Sequence, residues 1–290
     1  MRENRMTEVQ LSAGPVEYTD TGGDGPVLLF VHGLLMSGTV WRKILDDLGR
    51  DFRCVCPTLP LGGHRLPMNP DADLSLTGMA KLLGEFIESL DLEEVTIVQN
   101  DWGGAQVLVA TADTTRLAGL VLTSCEAFDL YPPVPARVIV LAGRVPGGLR
   151  LAMSVLNTRL GRRGPGTWGW MSKRPIPDAI IDDWFRPATE QSQIRRDLRK
   201  YVLGVPPRAE LLAIAQCSAT FTKPVTVAWA TEDRMFPVAV GHRLAATFPH
   251  SRFVEISDSY TLIAEDQPKQ LISAIRGHFT PGPNDSDSAR

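Results

Sequence analysis

The sequence predicts an α/β domain, a doubly wound, mainly parallel sheet with a helical segment inserted between two of its strands. Three observations carry this expectation. Short, wholly apolar runs recur along the chain, as in strands buried on both faces of a parallel sheet. Stretches of helical period separate them, which specifies right-handed crossovers. The rhythm stops after Asp129 and resumes only at Val225.

The first strong strand is residues 27–32 (V-L-L-F-V-H), preceded by a turn at 21–26 (T-G-G-D-G-P) and by an expected antiparallel edge strand at 16–19. Residues 41–48 read as a helix and 53–56 as the next strand. Between 74 and 92, Leu76, Met79, Leu82, Leu83, Phe86 and Leu90 fall on one helical face. Residues 95–99 and 117–123 are the third and fourth buried strands, and 225–230 and 252–256 continue the sheet. The interruption at 130–218 is rich in Pro and Gly, includes Trp168, Trp170 and Trp184, and is charged and helical in pattern over 177–204. The expected organisation is a core of 1–129 and 219–280, a helical cap of 130–218 over the strand C-termini, and a disordered tail at 281–290.

Composition narrows the function classes. Hydrophobic residues at 43% and charged residues at 22% are ordinary for a soluble enzyme. The net charge of −3 is read as offering no basic face for nucleic acid or anionic lipid, so neither nucleic acid nor a membrane is an expected partner. Cys54, Cys56, Cys125 and Cys217 form no CxxC pair or His/Cys cluster, so buried thiols and no metal are expected. Residues 1–10 are charged and lack an apolar core of the secretion type, and no apolar run approaches a membrane span. The expectation is a cytoplasmic protein that needs no cofactor and takes a small-molecule substrate, with a homodimer left open.

The chemistry concentrates at 95–105, V-T-I-V-Q-N-D-W-G-G-A. A buried strand runs straight into a polar residue, then glycines, then small and apolar helix formers. That order forces the Asp101 side chain onto a strained turn at the sheet edge, above a helix N-terminus whose positive end favours a carboxylate. Gly103 and Gly104 let the following helix pack against the sheet with so tight a turn. The bland reading of Asp101 is a helix N-cap without chemistry.

The Asp101-Trp102-Gly103 segment resembles the elbow of the haloalkane dehalogenase and soluble epoxide hydrolase branch of the α/β hydrolases. The resemblance also covers His32-Gly33, Trp41, Thr231-Glu232-Asp233-Arg234-Met235-Phe236-Pro237 and Glu265-Asp266-Gln267-Pro268, all in order along the core. It implies an α/β-hydrolase fold and an aspartate that attacks an sp³ carbon to give an alkyl-enzyme ester. A histidine-activated water then hydrolyses that ester, with an acid at Asp233 orienting the histidine. It also implies that the backbone N–H groups of Leu34 and Trp102 form the oxyanion hole.

Aligned without gaps on Glu265-Asp266-Gln267-Pro268, the histidine position of this branch holds Thr261, and Tyr260 stands where a glycine is usual. A threonine hydroxyl is no base near neutral pH, so the triad is incomplete. Leu34 occupies the place of a halide-binding asparagine, although Trp102 remains, and Gln99 replaces a small residue two before the nucleophile. Leu35 stands at the proline of the epoxide hydrolase motif, and Tyr201 is the one tyrosine deep within the cap segment. Among the five histidines, His64 on the loop after the second strand is the candidate substitute base. The bland reading of His64 is a loop histidine bonded to backbone. His32 is expected to brace the oxyanion loop at Gly33, and Glu126 lies near an alternative acid position. Three readings stay open: hydrolysis with a substituted base, a non-hydrolytic lyase, isomerase or cyclase reaction using Asp101 as base, and ligand binding without catalysis.

Overall fold

The computed structural model describes residues 6–164 and 167–280; the expected disordered tail at 281–290 lies outside them. Eight strands form one sheet: β1 (Thr7–Leu11), β2 (Gly14–Asp20), β3 (Val27–Val31), β4 (Arg53–Pro57), β5 (Val95–Asp101), β6 (Leu117–Cys125), β7 (Val225–Ala230) and β8 (Ser251–Ile256). Their order is β1-β2-β4-β3-β5-β6-β7-β8, antiparallel between β1, β2 and β4 and parallel from there on. The expected strand at 16–19 is antiparallel, as read, but it is not the edge. β1 lies outside it, and its T-E-V-Q-L alternation is too short and polar to stand out.

The helices are α1 (Arg42–Leu48), α2 (Leu76–Ser89), α3 (Gly104–Thr111), α4 (Arg137–Arg144), α5 (Gly148–Leu156), α6 (Trp168–Met171), α7 (Asp178–Glu190), α8 (Ser192–Leu203), α9 (Arg208–Cys217), α10 (Val238–Ala245), α11 (Ile263–Asp266) and α12 (Pro268–His278). β5 and β6 are buried along nearly their whole length because helices cover both faces of the sheet, which is why they read as continuous apolar runs. Trp41 packs against Phe30 of β3 with ring centroids 5.2 Å apart. Cys54, Cys56 and Cys125 are buried and all four cysteines are free.

No strand interrupts the chain between β6 and β7 among the described residues, and α4 to α8 pack on one another. α9 instead packs against α3, the helix that follows β5.

The Glu265-Asp266 segment ties these parts together. Glu265, almost wholly buried, receives the Arg42 guanidinium and the Lys43 ammonium, the latter at 2.8 Å. Asp266 accepts from Ser172 Oγ at 2.7 Å and from the N–H groups of Lys173, Arg174 and Tyr260, each at 2.9 Å. One buried carboxylate thus fastens the α6–α7 connection of the cap to the loop after β8. Replacing Asp266 by Ala strands three N–H donors, and each unsatisfied buried group costs about 1–3 kcal/mol. Urea unfolding of Asp266→Ala is therefore expected to show a loss of several kcal/mol, against a small loss for an exposed control such as Glu255→Ala.

Candidate active site

β5 ends in the sheet centre, between β3 and β6, and its last residue turns sharply: Asp101 has φ +64°. A left-handed backbone at a non-glycine residue is strained and persists only where the surroundings over-determine it. They do so here. Gln99 accepts from Ala105 N–H at 2.8 Å, capping the start of α3, and its amide donates to Gln106 Oε1 at 2.6 Å. Asn100 donates to the Thr261 carbonyl at 2.8 Å and to the Thr123 and Ser124 carbonyls at 3.2 and 3.3 Å. A Cβ on Gly103 would meet Tyr131 Oη at 2.0 Å, and one on Gly33 would meet Asp101 Oδ2 at 1.9 Å. These two glycines leave the room that the turn and its carboxylate need. Gln99, a departure by sequence, and Asn100 beside it are the supports of the elbow.

The Asp101 carboxyl faces a mostly apolar cavity of about 80 Å³ lined among others by Leu34, Trp102, Glu126, Trp168, Tyr201 and Met235. Leu34 N–H donates to Asp101 Oδ2 at 3.1 Å. Trp102 N–H, the other expected oxyanion donor, is bonded instead to the Asn100 carbonyl at 2.8 Å within the turn. One of the two backbone donors is therefore on the carboxylate and the other is committed to the turn. His32 braces the loop as expected: Nδ1 meets the Gly33 carbonyl at 2.8 Å, and Nε2 accepts from Leu59 N–H at 2.9 Å. Complete burial lowers its pKa to about 4, so the ring is neutral.

Thr261 and Asp233 meet as the spacing implied. Thr261 Oγ1 donates to Asp233 Oδ1 at 2.8 Å, and the N–H groups of Met235 and Phe236 donate to the same oxygen at 2.8 and 2.9 Å. These two N–H bonds close the turn between Asp233 and Pro237, and no side chain caps the start of α10. Burial raises the Asp233 pKa against these hydrogen bonds. Tyr260 does not crowd the position: its ring lies against the Arg234 guanidinium at 3.9 Å.

His64 is not the substitute base. It is buried, but Nδ1 accepts from Gly62 N–H at 3.3 Å, Nε2 faces Asp197 Oδ2 of α8 at 3.4 Å, and the residue does not line the Asp101 cavity. No histidine does. The loop after β4 reaches the sheet edge, but the cap takes up its histidine through Asp197, a partner invisible to local sequence.

Glu126 lines the same cavity as Asp101, and its N–H donates to the Asp101 carbonyl at 2.8 Å. Burial pushes its pKa well above the ordinary value, and the Asp101 charge adds to this; Tyr201 stands beside it as a polar neighbour. Tyr131, which sequence reasoning passed over, donates from Oη to the Gly103 carbonyl at 2.8 Å. Burial also raises the Asp101 pKa to about 7, with Leu34 N–H opposing and Asp233 adding to the rise. The cavity therefore holds two carboxyls, Asp101 and Glu126, that burial pushes upward from the ordinary carboxylate range.

Residues 28–274 match the model of the alpha/beta hydrolase family, and the chain belongs to that family. Within it, the chain falls in the haloalkane dehalogenase-like branch. It is 27% identical over 276 residues to haloalkane dehalogenase 2 of Mycobacterium tuberculosis, covering 92% of each chain. It is 24% identical over 284 residues to the cis-3-alkyl-4-alkyloxetan-2-one decarboxylase of Xanthomonas campestris, covering 92% of this chain and 93% of the relative. The crystal structure of a haloalkane dehalogenase from Bradyrhizobium elkani superposes with a TM-score of 0.74 at 19% identity over 94% of this chain and 96% of that one, a likeness of fold.

The raised pKa has a consequence for stability. In the unfolded chain Asp101 titrates near 3.8 and in the fold near 7, so the folded state binds the proton more tightly. Stability from this group is complete below pH about 4 and is lost as pH rises to about 7, at a cost on the order of 4 kcal/mol. Asp101→Asn removes that cost. The variant is expected to melt several degrees above wild type at pH 8 and close to it near pH 4.5, in thermal scans followed by circular dichroism.

Proposed function

We propose that this chain is an enzyme acting on a small, mostly apolar molecule held between the cap and the sheet, with the Asp101 carboxylate as nucleophile toward an electrophilic carbon. The observation that carries this reading is the elbow, a strained turn that presents a buried carboxylate to an apolar cavity with a backbone N–H on one oxygen. A carboxylate confined there with one hydrogen-bond donor costs stability, and a buried, perturbed carboxyl in a cavity is the mark of a functional site. In the attack, an Asp101 oxygen forms a bond to carbon while the leaving group departs with its electron pair, giving an ester on Asp101. Glu126 lines the same cavity and burial raises its pKa, which suits it to supply a proton to an oxygen leaving group. Hydrolysis of the ester then needs a base, and Thr261 offers only a hydroxyl already bonded to Asp233.

A second reading is favoured by the Asp101 pKa of about 7 together with the cavity's lack of histidine. A carboxyl near neutrality is matched to general base work, so a lyase or isomerase reaction can run without an ester. The similarity to a decarboxylase of oxetan-2-ones supports this alternative within the same branch.

Intact-mass measurement separates the two. Wild type incubated with haloalkanes, epoxides and strained lactones is expected to accumulate an adduct that Asp101→Asn does not form. Adduct formation should rise about tenfold per pH unit below pH about 6 and level off above about 8, because only the ionised carboxyl attacks. Thr261→His, with Asp233 available to orient the imidazole, should convert part of the adduct into hydrolysed product. Turnover of a substrate without any adduct, abolished in Asp101→Asn, would establish the second reading. Binding of the same compounds with neither adduct nor product would exclude both.

A further inference from the structure

The outer layer of the cap carries a surface that the Asp101 chemistry does not use. On α4, Val138 and Leu141 follow the helical spacing of one face, with Val145 just past its end, and on α5 Leu151 and Val155 do the same. With Leu160 just beyond, these side chains are 54% to 85% exposed, and most of the large exposed apolar side chains among the described residues lie in this stretch. The opposite faces are the buried ones: Ile139 and Gly143 on α4, Leu149 and Met153 on α5. Scattered exposed apolar residues are ordinary, but a contiguous group on two packed helices is a contact surface.

The charge around this surface has one sign. Residues 130–177 contain eight Lys and Arg and no Asp or Glu, in a chain whose net charge is −3. Lys173, Arg174 and Arg162 are paired with carboxylates from outside the stretch. Arg137, Arg144, Arg150 and Arg163 stand exposed, and none is in an ion pair among the described residues. The global charge that argued against a membrane hides this local excess.

The surface also meets the cavity. α4 supplies Ile139 and Val140 to the lining, and Val138 both lines the cavity and is 65% exposed. The Asp101 cavity therefore reaches the outside at the apolar, cationic face.

We propose that α4 and α5 seat this protein on an anionic lipid surface, with the Val and Leu side chains in the headgroup boundary and the unpaired arginines on lipid phosphates, so that an apolar substrate passes from the lipid to Asp101 past Val138. No helix is long and apolar enough to cross a membrane among the described residues, so the association is one of helices lying in the interface. A second copy of the chain is the poorer occupant. A two-fold interface places the same patch against itself, which sets arginine against arginine with no carboxylate in the stretch to pair them. An anionic surface complements both the apolar side chains and the charge.

The test is flotation of the full chain with vesicles of phosphatidylcholine alone or mixed with phosphatidylserine, which reads binding independently of any reaction. Wild type is expected to bind the anionic vesicles at least about tenfold better than the neutral ones and to release in high salt. The double variants Leu141→Ser/Leu151→Ser and Arg144→Glu/Arg150→Glu should each lose about tenfold or more of that binding, with melting temperature unchanged because the substituted side chains are exposed. The milder Arg144→Gln/Arg150→Gln should fall between. Absence of binding to anionic vesicles, equal binding to neutral ones, or binding untouched by both double variants overturns the proposal. So does a stable dimer in sedimentation that Leu141→Ser/Leu151→Ser dissolves, which would make the face a self-interface.

Discussion

The positive φ of Asp101 is the constraint around which the rest of the site is arranged. A left-handed aspartate between a buried strand and a helix is unfavourable by itself, on the order of 1–3 kcal/mol. It is held because every neighbouring group has no other place to go. Gln99 is fixed by the first N–H of α3, Asn100 by three carbonyls from two other segments, and the carboxylate by the gap that Gly33 leaves. His32, neutral and bonded at both nitrogens, keeps the Gly33 loop in position. The elbow is thus specified by contacts from four parts of the chain, and its strain is supported by packing rather than by the turn itself.

The electrostatics follow from the same confinement. Asp101, Glu126 and Asp233 share one buried region, and burial dominates the upward shift of each. In a triad a cationic imidazole would stand between nucleophile and acid and offset both charges. Thr261 brings no charge, so the carboxyls also raise one another. The proposed chemistry therefore rests on the Asp101 carboxyl, whose pKa lies near neutrality, with only a hydroxyl at Thr261.

The cap divides its helices by role. Asp197 on α8 takes hydrogen bonds from His64 and from Met68 N–H, while Asp266 fastens the α6–α7 connection. α4 and α5 form the outer layer, with one face on the cavity and another toward the surroundings.

The sheet was legible in the sequence because strands buried on both faces must be apolar throughout, and no other arrangement accounts for runs such as V-L-L-F-V and L-V-L-T-S-C. The elbow was legible for a related reason: only a tight strand-to-helix turn puts a carboxylate between apolar residues and two glycines. That Thr261 stands beside Asp233 was implied by the resemblance, which put them at the histidine and acid positions. β1 escaped because a short edge strand with one wet face has little pattern to read. The direction of His64, the commitment of Trp102 N–H to the turn and the packing of α9 on α3 were settled by tertiary structure alone. Each depends on a partner distant in sequence or on the exact path of the backbone, namely Asp197 on α8, the φ of Asp101 and the flank of α3. Residue types along a chain fix which groups need partners, but packing decides which partners arrive.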